Sequence, residues 1–381
     1  MHAVDAAPTP ASTRVHAIDG LRAVAALAVF VFHLTWRSPV LYDAARPVTG
    51  HLDIGVEIFF MISGFLIFGP FAKAMVANER LPSTLAYAAR RAIRIWPAYL
   101  VVLTTITVLA IADFDGTRGF LKHATLTYLY FDDKGGKGLA LAWTLVVELS
   151  FYAFVPVAAY AIARTGRRLV GACVALIAVG AVMQRVVAYD LETEMWIRIL
   201  PPRLLMLGMG MLLAAIYHQG EHTGALGRSL RRAAGRPMAL LVVALAAFAL
   251  LMALVPAGTD VGDSGSGRLT KELLQTLMAT CVVLPIMLPT GDGGRWDRLL
   301  SHRVTTYLGA VSYGLYLWHI PVLHLFRTQI TSEHVITAAT GWVAGLALSL
   351  ALAAASWHVV EKPLMDAVAR RLRPARSKVA A

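Results

Sequence analysis

Residues 18–34 read IDGLRAVAALAVFVFHL. After the opening Asp19 the stretch is apolar except at Arg22 and His33, and with its flanks it approaches the roughly 20 residues that a helix needs to cross a bilayer. Arg22 and His33 stand eleven residues apart. That is about three helical turns, so the two side chains share nearly one face and lie about 16 Å apart along the axis. An ionisable group near the bilayer centre costs at least about 2.5–3.5 kcal/mol and therefore faces a cavity or a partner. Taken singly, His33 also fits a histidine hydrogen-bonded between two helices.

Outward from this run, further apolar blocks follow one another along the chain. About ten candidate spans result, centred near Phe30, Gly64, Leu103, Phe151, Ala178, Gly208, Ala247, Ala279, Tyr313 and Leu348. The composition agrees: 57% of the residues are apolar and 15% charged, against about 25% charge in a typical soluble domain. The fold expected is an all-α polytopic membrane protein of about ten transmembrane helices. Residues 1–16 form a cytoplasmic N-terminal arm, 17–363 the membrane domain and 364–381 a basic cytoplasmic tail. No repeat or separate soluble domain is evident, and no small-x-small cleavage site follows the first run, which argues against a cleaved signal peptide. The longest connection, residues 113–140, mixes Asp115, Arg118, Lys122, Asp132, Asp133 and Lys137 and is expected outside the bilayer. The stretch GTDVGDSGSG at 258–267 has no phosphate-loop spacing and reads as an outer loop. Cys173 and Cys281 both fall inside apolar blocks and read as packing residues.

Against 23 acidic residues stand 35 Lys and Arg, a formal +12. In a soluble chain that would suggest nucleic acid; here the arginines gather in alternate connections, which reports sidedness. Arg80, Arg90, Arg91 and Arg94 form one group; Arg164, Arg167 and Arg168 the next; then Arg228, Arg231, Arg232 and Arg236; then Arg295, Arg298 and Arg303; and finally the tail. The connection holding Asp190, Glu192 and Glu194 has no positive charge. Both termini are therefore expected in the cytoplasm, with the lipid bilayer and not nucleic acid as the partner. The Ala- and Arg-rich composition points to a bacterium, hence to its cytoplasmic membrane.

Several ionisable groups fall at one depth. In the fourth span Trp143 marks the outer interface, and Glu148 lies about as deep as His33, with Thr144 and Tyr152 one turn away on its face. In the sixth, WIRILPPRLLMLG (196–208) brings Arg203 to a similar level. Histidine, carboxylate and arginine at one level suggest a shared site; an interhelical ion-pair network is the plain alternative. Near the inner surface, RRAIRIWPAYL (90–100) sets Arg90, Arg91 and Arg94 just before the third span, with Pro97 near its start. Positive-inside retention accounts for any one of them. Together with Arg22 they would also hold phosphates by bidentate hydrogen bonds.

These segments resemble the acyltransferase-3 family of integral-membrane O-acyltransferases. IDGLRAVAALAVFVFHL matches its opening, with arginine and histidine ten residues apart in between. GVEIFFMISGFLI (55–67), RRAIRIWPAYL, WTLVVELSFY (143–152), VSYGLYLWHIPVL (311–323) and SWHVVEKP (356–363) are similar to its later motifs, in order, over residues 18–363. The resemblance implies a ten-helix domain that moves an acyl group, commonly acetyl, from cytoplasmic acyl-CoA to a hydroxyl. Family acceptors include envelope glycans, and some members acylate macrolides.

In that light acyl-CoA is the expected co-substrate, with no permanently bound cofactor and no metal. Arg22, Arg90, Arg91 and Arg94 are expected to bind its phosphates. His33 is expected to act as general base on the acceptor hydroxyl, because imidazole titrates nearest neutrality, or alternatively to carry the acyl group itself. Glu148 is expected to orient the imidazole. Trp143, Tyr152, Arg203 and His319 are expected at the acceptor or the oxyanion, and Glu361 is either functional or the ion-pair partner of an inner arginine. The acceptor reads as a hydroxyl-bearing glycan or glycolipid, with a macrolide or other small molecule as the second choice. A transporter or flippase is the alternative class, since intramembrane charge also marks transport pathways, but the broken-helix pair and inverted repeat that would favour it are missing.

Overall fold

The computed structural model describes residues 10–131, 139, 141–165, 168–191, 194–259, 264–290 and 294–372. Asp132, Asp133, Lys137, Arg167, Glu192, residues 260–263 of the glycine-rich loop, most of the N-terminal arm and the end of the tail lie outside them. Every regular element among the described residues is helical. In order these are α1 (Pro10–Thr35), α2 (Pro39–Thr49), α3 (Ile54–Val76), α4 (Thr84–Val108), α5 (Gly116–Ala124), α6 (Tyr128–Phe131) and α7 (Ala142–Thr165). There follow α8 (Leu169–Tyr189), α9 (Glu194–Ile197), α10 (Leu200–Gln219), α11 (Ala225–Ala234), α12 (Pro237–Leu254) and α13 (Gly265–Met287). The last are α14 (Gly294–Leu300), α15 (Arg303–Ala310), α16 (Ser312–Leu325), α17 (Arg327–Ile330), α18 (Val335–Ser356) and α19 (Lys362–Arg371).

Among the described residues nine helical stretches are long and apolar enough to cross a membrane. The chain is a polytopic helical membrane protein. The stretch around Tyr313 departs from the other expected spans, because the helix breaks at Val311 and again at Phe326. The middle piece, α16, has 14 residues, about 21 Å of helix against a hydrocarbon core of about 30 Å. Ser312 and Tyr313 at the break line a cavity, the setting in which irregular backbone is tolerated at membrane depth.

Local chemistry sets other boundaries. Ser83 caps α4 by accepting a hydrogen bond from the Ala86 N–H, so this helix begins well before the arginines. Arg90, Arg91 and Arg94 therefore lie on the helix itself, and Pro97 sits in its interior and not near its start. The connection at 113–140 is also more than an outer loop. Trp96 and Tyr99, half-way along α4, donate to the Ala124 and His123 carbonyls at 3.1 and 2.8 Å, and the His123 ring stacks on Tyr128. The two α4 side chains thereby tie the end of α5 to the middle of α4.

At the centre of the bundle α10 packs against α3 and α8. Its approach to α3 depends on Gly64 and Gly210: a Cβ on the first would run into the Leu207 carbonyl, and on the second into that of Met61. Small residues that let backbones touch are the usual means of helix association in lipid, where apolar burial supplies little drive. Around this seam α1 packs on α3, α14, α15 and α16, with Arg22 midway along it and His33 near its end.

Candidate active site

A cavity of about 150 Å³ opens beside the first half of α1. Into it project Arg22, Ser63 from α3, Arg91 and Arg94 from α4, Glu148 and Tyr152 from α7, and Tyr313 and Tyr316 from α16. Three guanidiniums thus share the cavity with one carboxylate. Glu148 accepts from the Tyr152 hydroxyl at 2.6 Å and from Ser63 Oγ at 3.3 Å. Arg94 lies between the rings of Tyr313 and Trp357 and pairs with Glu361 at 3.4 Å. A five-residue π-helical turn, Trp357–Glu361, delivers that carboxylate, so Glu361 is the ion-pair partner of an arginine. Arg91 lies near the rings of Tyr87 and Tyr152, and its buried Nε has no hydrogen-bond partner. Arg22 pairs with Asp19 at 3.5 Å. Arg90 does not join them. It is exposed, because the 100° step of the helix turns it away from the face that carries Arg91.

His33 lies farther along α1 and meets a second histidine. His319 Nε2 is 3.3 Å from His33 Nδ1, and the ring centroids are 5.1 Å apart. Each Nδ1 also faces the carbonyl one turn back: Val29 at 2.9 Å for His33 and Leu315 at 3.0 Å for His319. A carbonyl only accepts, so both Nδ1 atoms carry the proton. His319 Nε2 is then an acceptor for the His33 Nδ1–H, which it shares with Val29, and the lone pair of His33 is left on Nε2. His319, expected at the acceptor or oxyanion, is thus the ring partner of His33.

Glu148 does not take that place. Its hydrogen bonds go to Ser63 and Tyr152, and the charged groups acting on His33 are Arg37 and Asp53. Counting residues from Trp143 gives height along a helix and not the direction in which a side chain points; Glu148 points into the arginine cavity. Tyr316 connects the two regions. It lines the arginine cavity, its hydroxyl is 2.9 Å from Thr144 Oγ1, and its ring lies 5.9 Å from that of His319.

Arg203 is held in a network of its own. Its Nη1 donates to both oxygens of Glu272 at 3.0 and 3.1 Å, its Nε and Nη2 donate to the Ile197 carbonyl, and Glu57 stands 3.7 Å away. The guanidinium covers the Trp143 ring at 5.2 Å. With its donors engaged, Arg203 is no free oxyanion ligand, and it belongs with Trp143 to a second cavity of about 280 Å³. Asp53, Glu57, Lys271 and Glu272 line the same space. Val56 lines both cavities, and Phe60 of the first meets Trp143 of the second edge-on, so the partition between them is one layer of side chains thick. Glu57 carried a signal in the sequence, as an acid in the apolar stretch GVEIFFMISGFLI. Glu272 stands beside Lys271 at the polar start of its span and gave none. Among the described residues no cluster of His, Cys, Asp or Glu is arranged to hold a metal ion.

A helical membrane bundle that encloses an arginine-bearing cavity, a histidine pair farther along α1 and a second polar cavity beside the first defines the class. The family follows: the acyltransferase-3 domain matches residues 15–358, and the chain belongs to that family. A Bacillus subtilis protein assigned as a peptidoglycan O-acetyltransferase, YrhL, is 27% identical over 91% of this chain and 54% of its own length. The O-acetyltransferase OatA of Staphylococcus aureus is 22% identical over 91% of this chain and 56% of its own. The exopolysaccharide production protein ExoZ of Rhizobium meliloti is 26% identical over 86% of this chain and 94% of its own. The chain spans about half the length of the first two. No solved structure matches it significantly.

Proposed function

We propose that this protein is a membrane O-acyltransferase that takes an acyl group, acetyl in the first instance, from acyl-CoA and transfers it to a hydroxyl of a cell-envelope carbohydrate. The observation that carries the proposal is the sharing of one cavity by Arg22, Arg91 and Arg94, with His33 about 16 Å further along the same helix. Arg91, whose buried Nε has no partner, and two further guanidiniums on the same cavity wall suit the phosphates of a CoA. The acyl arm would extend past Tyr152 and Tyr316 toward the histidines. His33 Nε2 takes the proton of the acceptor hydroxyl as its oxygen attacks the thioester carbonyl. The C–S bond breaks, and the proton passes to the departing thiolate. The imidazolium formed in between is steadied by His319 Nε2, which accepts from its Nδ1–H. Glu148, held by Tyr152 and Ser63, positions the wall of the donor cavity.

Relatives named for peptidoglycan O-acetylation and exopolysaccharide production support a glycan acceptor over a macrolide. The arginine cavity is taken to face the cytoplasm of a bacterial cell, the side on which Arg228, Arg231 and Arg232 of α11 would be retained. Purified protein supplied with acetyl-CoA and a glycan should release CoA and form an ester. His33→Asn should lower that rate about 10²–10⁴-fold while still binding acetyl-CoA, and Arg22→Ala should weaken acetyl-CoA binding. Full transfer activity in folded His33→Asn would refute the proposal; solute uptake without ester formation would make the protein a transporter.

A further inference from the structure

We infer that the second cavity is the acceptor subsite and that it takes a carbohydrate by its ring hydroxyls; the inference rests on the transferase function proposed above. The cavity lies at the start of α3, where Gly55 packs on the Ala25 carbonyl and the Val29 side chain of α1, one turn before His33. Asp53, which lines it, is one of the two charged residues that act on His33. An ion-pair network serving only to hold helices together is close-packed, since charge buried in a dry interior must be tightly paired. Here the charged groups surround about 280 Å³, many times the roughly 10–15 Å³ that admits one water molecule.

Four cations, Arg198, Arg203, Arg268 and Lys271, and three carboxylates, Asp53, Glu57 and Glu272, line the space, so its charges come close to balance. Lys271 meets Asp53 at 2.6 Å, and Arg203 meets Glu272 at 3.0 Å. Gln184 and Gln275 donate to Glu272 and Asp53 at 3.2 and 2.7 Å, and each keeps a carbonyl oxygen for a further donor. Such a chamber presents fixed donors and acceptors with little net charge. That suits neutral hydroxyls, which both give and accept hydrogen bonds, better than a phosphate or a free cation. A sugar seated there would approach the turn of α1 that carries His33 from the side of the partition away from the arginine cavity.

The test uses the full chain in lipid nanodiscs, with tri-N-acetylchitotriose and a glycosylated macrolide as probes and tryptophan fluorescence as the readout. The saccharide should bind saturably. Gln184→Ala and Lys271→Gln should each weaken it about tenfold, the loss of one good hydrogen bond, with acetyl-CoA binding unchanged. Ala188→Trp, which fills the cavity from its rim, should abolish saccharide binding in protein that still elutes as a folded species. Saccharide binding unaltered in all three variants, binding of the macrolide alone, or parallel loss of acetyl-CoA binding would overturn the subsite. Saccharide binding by a protein that never consumes acetyl-CoA would instead overturn the transferase function and leave the subsite standing.

Discussion

At the scale of single residues, the histidine pair makes a specific demand. If His319 fixes the His33 tautomer, His319→Leu should lower kcat by at least about tenfold, as expected when a base loses its orienting partner, and should move the pH profile of kcat while leaving the KM for acetyl-CoA in place. A substitution that merely loosened the bundle would affect both. Arg203 has a different part. Its replacement by Met leaves Glu57 and Glu272 without their nearest counter-charge and should cost about 3–5 kcal/mol of stability, visible as a large drop in thermal midpoint. His51, outside the spans, reports on acid. It is buried against the Phe248 ring with both nitrogens unpartnered, and burial, aided by Lys271, lowers its pKa below the usual imidazole value of 6.5. The folded protein therefore binds this proton less readily than the unfolded chain. The sign follows: stability is unaffected above about pH 6.5 and falls as the pH drops below it. His51→Phe should flatten that acid limb in melting curves taken between pH 7 and 5.

At the scale of elements, the seam between α3 and α10 is the part least able to give. Gly64→Val would push α10 off its neighbour and should cost at least about 1–3 kcal/mol, read as loss of the monodisperse peak in size exclusion. The helices themselves were legible in the sequence because a bilayer asks for runs of apolar residues, and a run needs no partner to be recognised. What the runs do not encode is rotation about the helix axis and interruption. The spacing of Arg22 and His33 survived because both lie on one unbroken helix. Glu148 did not reach His33 because height was inferred from one helix and direction from none. The α16 break escaped hydropathy since an average over a stretch does not register where its helix is interrupted, and Arg90 and Arg91 look alike until a helix turns them apart. Glu272 was hidden for another reason: a carboxylate next to a lysine reads as surface until a third helix supplies Arg203.

For the whole molecule, the arginine-rich connections should face one compartment. Cysteines placed at exposed Ser229 and Thr259 report opposite sides, and the native Cys173 and Cys281 are buried. In intact cells an impermeant maleimide should label Thr259→Cys and spare Ser229→Cys; the reverse pattern would invert the bundle and put the arginine cavity on the outside. The thin partition at Val56 and Phe60 has an electrical meaning as well. A membrane voltage drops where the material is least conducting, and water-accessible cavities on both sides move most of that drop onto this single layer instead of spreading it over the full hydrocarbon thickness. An elementary charge crossing the layer would then couple to nearly the whole voltage, about 2.3 kcal/mol per 100 mV. The protein would work as a capacitor with a narrow gap.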